Sequence, residues 1–256
     1  EIFMHSRDVT IVVVTSVLPE HPDTSILDET MRSVRHHFKE NEIILQIDGL
    51  REERLNRKND YDEFKNRVLW KCLHEWNNVL PVIFDQHSHQ TTMMRKTINE
   101  IQTSLLLYVE GDAPLTPDVE IDWQKCLDLI EYEKANTIRF HFESSIPKEH
   151  EHLMFELKDG FLQTAQWSQR PHLSRVSYYR HTILPPLDSC AFIEDRTHGI
   201  IQDEILPYDK FSVDGWEKHK LWIYHPEGNI KRSYHLDGRK GTRKYTSDDE
   251  IMGYTG

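Results

Sequence analysis

The stretch that most restricts the fold is "DVTIVVVTSV", Asp8 to Val17. Its apolar residues do not alternate with polar ones, and β-branched side chains dominate it. A strand of that kind is apolar on both faces, so helices must cover it above and below, as they do a central strand of a parallel α/β sheet. Three further runs suit its neighbours: "EIILQIDG" (Glu42 to Gly49), "VLPVIFD" (Val79 to Asp85) and "LLLYV" (Leu105 to Val109). Segments at helical spacing separate them. One opens near Thr24 and Ser25, carries Asp28 and Glu29 in its first turn, and turns Ile26, Leu27, Met31, Val34 and Phe38 inward. A second runs from Tyr61 to Trp76 with Tyr61, Phe64, Val68, Cys72, Leu73 and Trp76 on one face, and a third from Thr92 to Gln102. Such alternation predicts a doubly wound α/β layer.

After Pro117 the rhythm loosens. "WQKCLDLIEY" reads as a helix, and "TIRFHFE" and "RVSYYR" as strands, between polar segments rich in Trp and His. No Gly/Ser linker or repeat marks a boundary, so the expectation is a single domain over 1–256 with a nucleotide-type half at about 1–117 and an acceptor-type half after it. The net charge of -12 disfavours a general nucleic-acid surface, which depends on Lys and Arg neutralising phosphates. Cys72, Cys126 and Cys190 stand far apart, with neither a metal ribbon nor a disulfide framework in their spacing, so a reducing, cytoplasmic setting is expected. The longest apolar runs fall far short of the roughly 20 residues that span a bilayer, so no transmembrane segment is expected.

Ligands of open α/β sheets bind beyond the carboxyl ends of the strands. Here those ends carry Thr15 and Ser16, Asp48, Asp85 with His87, and Glu110-Gly111-Asp112. The last group is suited to a hard divalent cation, which takes oxygen ligands, and Gly111 permits close approach of a ligand. "FIEDRTHG" holds Glu194 and Asp195: either a general base at the same rim or simply acids favoured at a helix N-terminus. "WSQRPHLS" holds Trp167, Arg170 and His172, either to stack on a sugar and grip a phosphate, or with Trp167 packed in the core. "HSH" (His87, His89) and "HEH" (His150, His152) lack a zinc signature. The basic stretch Asn229 to Tyr245, with Lys231, Arg232, Arg239, Lys240, Arg243 and Lys244, either closes over a diphosphate or is a solvated tail.

From "IVVVTSVLPEHPD" through "LLLYVEGDAPL" to "FIEDRTHG", the order of elements and acids resembles the nucleotide-diphospho-sugar glycosyltransferases of GT-A type, in particular inverting family 2. The resemblance implies a Rossmann-like α/β fold with a mostly parallel sheet, helices on both faces and an elaborated C-terminal acceptor region. It implies that Thr15, Ser16, Val17, Pro19 and Glu20 line a nucleotide pocket, that Asp48 faces uridine or its equivalent, and that Arg95 lies near the donor with Gly111. It places a divalent metal, Mn²⁺ or Mg²⁺, on Asp112 and Glu110, with His235 as a third ligand and His225 in reserve. Glu110 stands where the family has Asp, which makes Asp112 the firmer ligand. Asp195 becomes the catalytic base, oriented by Glu194, and Trp167, Arg170 and His172 the acceptor side. The family's Q-x-x-R-W stretch is not matched by "RTHGIIQDE".

The activity so implied is metal-dependent, inverting transfer of a sugar, a hexose by analogy, from a UDP- or GDP-sugar to an acceptor hydroxyl whose identity the sequence leaves open. Two alternatives stand beside it. A sugar nucleotidyltransferase would carry a glycine-rich loop after the first strand, where "TSVLPEHPD" has no glycine. A non-catalytic carbohydrate- or partner-binding protein on the same fold would bind no nucleotide.

Overall fold

A computed structural model describes residues 8–141, 146–226 and 230–236. Among the described residues, nine strands form one sheet in the order β3-β2-β1-β4-β8-β5-β9-β7-β6. They are β1 (Val9–Thr15), β2 (Ile43–Ile47), β3 (Val79–Ile83), β4 (Leu105–Glu110), β5 (Thr137–Arg139), β6 (Met154–Lys158), β7 (Phe161–Thr164), β8 (His172–Arg175) and β9 (Leu221–Tyr224). Every residue of β1 is buried, as its unbroken apolar run requires. It lies between two parallel partners, with Val12 opposite Ile44 of β2 and Tyr108 of β4. At the edge, β3 pairs only with β2, so Pro81 sits where a missing N–H is tolerated.

Helices α1 (Ser25–His37), α2 (Lys58–His74) and α3 (His89–Thr97) connect these four parallel strands; α4 (Trp123–Glu131) follows β4. All five apolar residues assigned to the inner face of α1 are buried. In α2, Tyr61, Phe64 and Val68 are buried and Cys72 packs partly buried against the core, as does Trp76 just after the helix, but Leu73 is 78% exposed. Helix α3 starts three residues earlier than its apolar spacing predicts and stops five earlier. The early start follows from Asp48, whose carboxylate accepts hydrogen bonds from the Ser88 and His89 N–H groups. At the other end Thr97 turns its hydroxyl back to the Met93 carbonyl.

The C-terminal half joins the same sheet through β8, which runs antiparallel to both β4 and β5. The expected strand "RVSYYR" is a correction: only Arg175 belongs to a strand, and the chain then forms the short helix α5 (Val176–Tyr178) and a π-helical turn over Tyr179–Ile183. A strand would send Tyr178 and Tyr179 to opposite faces. Here both rings are buried, Tyr178 bonded to His219 at 2.8 Å and Tyr179 to His172 at 2.6 Å. Helices α6 (Ile193–Ile205) and α7 (Val213–His219) complete the layer.

His172 is fully buried between the rings of Tyr108 and Tyr179. Its Nδ1 lies 2.6 Å from the Arg170 carbonyl, which can only accept, so Nδ1 carries the proton and Nε2 accepts from Tyr179. Burial lowers its pKa to about 4, with the Arg170 carbonyl opposing that shift. His21, stacked on Phe64, is lowered to about 3 by burial and then by the charge of Arg57. Below pH about 6.5 the unfolded chain takes up protons that the folded chain refuses, so stability falls as pH falls toward these depressed values. Urea titrations at pH 7 and pH 4.5 should show His172→Gln losing less stability between the two pH values than wild type, by on the order of 2–3 kcal/mol. Parallel losses in the two proteins would show that His172 does not titrate as described.

Candidate active site

The chain passes from β1 to β2 and β3 on one side and returns to β4 on the other. A crevice therefore opens at the carboxyl ends of β1 and its two neighbours. A cavity of about 300 Å³ occupies it. Val14, Thr15 and Ser16 form its centre, Asp48 and Arg51 the β2 side, and Glu110, Gly111 and Asp112 the β4 side. His89, Gln90 and Met93 of α3, together with Phe192 and His235, complete the wall.

Gly111 holds the β4 side close to β1. Its N–H donates to the Val14 carbonyl at 2.7 Å, and its own carbonyl accepts from the Thr30 hydroxyl at 2.7 Å. A Cβ added there would stand 3.1 Å from both Thr15 Cβ and the Val14 carbonyl oxygen, so a larger residue would force the acidic loop and the end of β1 to shift by a few tenths of an ångström. Glu110 is half-buried in the cavity wall and accepts from Gln90 Nε2 at 2.6 Å. Burial, and secondly the neighbouring charge of Asp112, push its pKa up to about 8, while Arg170 pulls it back.

His235 reaches Asp112 because residues 232–236 zip antiparallel onto residues 112–116. The Thr116, Tyr234 and Leu236 N–H groups bond to the carbonyls of Arg232, Pro114 and Asp112, around the bridge between Leu115 and Ser233. Nε2 of His235 then lies 3.5 Å from Asp112 Oδ2. Burial pulls its pKa down, but the hydrogen bond and charge of Asp112 outweigh that and hold it above the ordinary histidine value. His225, the reserve, uses its N–H on the Gly160 carbonyl and does not line the cavity.

The loop between β3 and α3 is bolted to the end of β2 by Asp48. Both of its oxygens are engaged, Oδ1 by the N–H groups of Gly49 and Ser88 and Oδ2 by that of His89, with His87 Nδ1 2.9 Å from Oδ2. Across the cavity mouth, the first turn of α6 carries Glu194 and Asp195. Glu194 accepts from the Gln169 N–H at 3.1 Å, and the exposed Asp195 is near enough to His89 to raise its pKa against the larger pull of burial. Gln90 ties the two regions together: its Oε1 accepts from the Ile193 N–H at 3.2 Å while its amide nitrogen holds Glu110.

Thr15, Ser16, Asp48, Glu110, Gly111, Asp112 and His235 thus meet in one cavity. Val17 packs on the core beside it, and Pro19 and Glu20 lie in the turn toward α1, where the Pro19 carbonyl accepts from Arg57. Three expectations are corrected. Arg95 does not face the cavity: its guanidinium is consumed by the Leu184 and Leu187 carbonyls and Ser189. Trp167 is buried, with its indole N–H on Gln169 Oε1 and its ring against His172 and Tyr179, and His172 is buried with it, so neither meets an acceptor. Both are apolar-faced rings whose polar atoms find partners inside the core. Arg170 alone of that trio is placed toward the carboxylates, where its charge acts on Glu110 and His235. In the basic stretch, Lys231 and Arg232 are buried, Arg232 over the Tyr224 ring, so they do not form a clamp; Arg239, Lys240, Arg243 and Lys244 lie outside the described residues. Arg51, Gln90 and Met93 were not legible as site residues, since none stands in a motif, and in "FIEDRTHG" only the acids, not Phe192, pointed to a site.

No family model matches the chain, and no curated protein does. Solved structures do. TarS of S. aureus, residues 1–349 in complex with UDP-GlcNAc, superposes with a TM-score of 0.55 at 9% identity, over 96% of this chain and 64% of that one. The mannosyltransferase PcManGT of Pyrobaculum calidifontis, in complex with GDP-Man and Mn²⁺, does so with a TM-score of 0.50 at 8% identity, over 86% and 57%. Both are GT-A-type glycosyltransferases.

The chain has the GT-A fold.

It spans less than two thirds of the length of either structure. Within the GT-A framework the crevice described above is the C-terminal rim of the parallel strands, and among the described residues no helix is long and apolar enough to cross a membrane.

Proposed function

We propose that this GT-A chain is an inverting, family 2-like glycosyltransferase that moves a sugar, a hexose by analogy, from a UDP- or GDP-sugar to an acceptor hydroxyl. The observation that carries the reading is the convergence of Asp112 and His235, from residues far apart in sequence, at one end of a cavity that Asp48 bounds at the other. The GT-A neighbours bound to UDP-GlcNAc and to GDP-Man with Mn²⁺ support it. The N-terminal half, about 1–117, holds the donor; the remainder supplies the acceptor side and the base.

Among the described residues, no three His, Cys, Asp or Glu side chains are grouped to hold a metal by themselves. Mg²⁺ or Mn²⁺ on a nucleotide needs fewer, usually one or two protein ligands with phosphate oxygens and water completing the shell. Asp112 and His235 fit that requirement, and Glu110, held by Gln90, supports them from behind. When bound there, the cation stabilises charge on the departing diphosphate as a Lewis acid. In the transfer, the acceptor oxygen bonds to the anomeric carbon on the face opposite the leaving group, the bond to the diphosphate breaks, and Asp195 takes the hydroxyl proton. Glu194, fixed by Gln169, steadies the helix turn that carries this base.

Asp112→Ala should weaken donor binding about 10- to 100-fold in the presence of Mn²⁺, and remove the difference made by adding EDTA. Thermal shift and calorimetry with UDP- and GDP-sugars measure both. If no nucleotide-sugar protects the wild-type chain with or without Mn²⁺, a non-catalytic binding role replaces the transferase reading.

A further inference from the structure

The cavity has two chemically different ends. One is acidic, with Glu110 and Asp112 beside His235; the other, on the β2 side, presents Arg51 and His89. If the acidic end holds the diphosphate, as in the function proposed above, the β2 end meets the nucleoside.

Asp48 cannot read a base there, because its oxygens are already engaged by the loop it staples. Nor does the start of α3 offer free N–H groups, since those of Ser88 and His89 go to Asp48, that of Gln90 to His89 Nδ1, and that of Thr91 to the Ala191 carbonyl. What remains is a mismatch between two side chains. The Gln90 N–H donates to His89 Nδ1 at 3.0 Å, so the neutral imidazole carries its proton on Nε2. Arg51 Nη2, which can only donate, stands 3.3 Å from that same Nε2. Two donors therefore face one another across the cavity wall. Burial, then the charges of Arg51 and His87, lower the His89 pKa, which keeps the ring neutral and the mismatch in place. An acceptor oxygen set between them would satisfy both. His89 is held in this orientation with a φ of 58°, a left-handed conformation uncommon outside glycine. Its ring packs edge-on against Phe192, at 3.9 Å between centroids, and Phe192 is 44% exposed, leaving an apolar wall for a flat ring.

We propose that Arg51 and His89 are the nucleobase-selecting residues of this cavity, and that they favour a base with a keto oxygen at pyrimidine C4 or purine C6, uracil or guanine, over one with an amino group at that position, cytosine or adenine. Uracil and guanine offer an acceptor oxygen where cytosine and adenine offer an N–H donor. A third donor placed against two donors leaves all of them unsatisfied, which costs more than the gain from a made bond.

The test is calorimetry of the full chain with Mn²⁺ and UDP, CDP, GDP or ADP, the pairs UDP/CDP and GDP/ADP differing chiefly in that edge. Wild type should bind the keto member of each pair about tenfold or more tightly. Arg51→Ala, a change at an exposed side chain, should bring UDP and GDP down toward the affinities of CDP and ADP and leave the latter two nearly unchanged. Equal binding of all four by wild type would overturn the assignment alone. An equal loss in Arg51→Ala for all four nucleotides and for pyrophosphate would also overturn it, by showing that Arg51 holds phosphate. Absence of binding by any nucleotide would overturn the transferase reading and this assignment together.

Discussion

Asp195→Asn is expected to lower turnover by roughly 10² to 10⁴ while leaving the affinity for the donor nucleotide close to wild type, the range a positioned general base contributes. The substitution is nearly isosteric, so what it removes is the capacity to take a proton. The surroundings argue that it will not disturb the fold. Asp195 is exposed in the first turn of α6, where acids are favoured by the helix dipole, and that turn is anchored independently of it. The anchors are the Ile193 N–H on Gln90, the Thr91 N–H on the Ala191 carbonyl, and the Ala191 N–H on the Thr91 hydroxyl. Glu194→Gln is the matched comparison. Its carboxylate accepts from the Gln169 N–H, which an amide oxygen can still do, so a smaller loss of turnover is expected. Steady-state rates with a donor sugar, and calorimetry with the corresponding nucleoside diphosphate, separate the two effects. Should Glu194→Gln lose the turnover and Asp195→Asn keep it, the base is Glu194.

The parts of this molecule that were legible in the sequence are those whose physics is local. A strand covered on both faces announces itself by an unbroken β-branched run, and β1 is buried along its whole length. The inner face of α1 follows from spacing alone. "RVSYYR" misled because aromatic, β-branched composition suits a strand and an interior turn equally; both tyrosine hydroxyls are held inside, one by His172 in the preceding strand and the other by His219, far along the chain. For Trp167 the sequence left an acceptor role and a place in the core both open, and the resemblance put it with His172 on the acceptor side, because polar atoms in a sequence do not disclose whether an internal partner exists. Arg95 likewise was consumed by carbonyls from residues 184 and 187, a contact that nothing near it in sequence announces. The pairing of Asp112 with His235 came from the resemblance, since it depends on a zipper between segments more than a hundred residues apart.

Asp48 shows how a residue at the right place can have a second task. The resemblance assigns it to the nucleoside, yet three backbone N–H groups already converge on its carboxylate, with His87 beside it, and the Tyr61 hydroxyl donates to its carbonyl at 2.6 Å. Replacing it by Ala leaves those buried donors without a partner, so a loss of about 3 to 5 kcal/mol in unfolding free energy is expected, as for removing one partner of a buried charged network. Asp48→Asn should lose less, since one amide oxygen can still accept from Gly49 and Ser88 while the amide N–H₂ meets the His89 N–H. Gly49 reinforces the same joint: a Cβ there would collide with the Gln86 backbone, so loop and strand end are packed without slack. Because Arg51 and His89 are positioned by this joint, donor affinity should fall with stability in Asp48→Asn, and osmolyte stabilisation should recover part of both. Urea denaturation beside nucleotide calorimetry checks the pair. A variant with wild-type stability and no nucleotide affinity would instead place Asp48 in direct contact with the base.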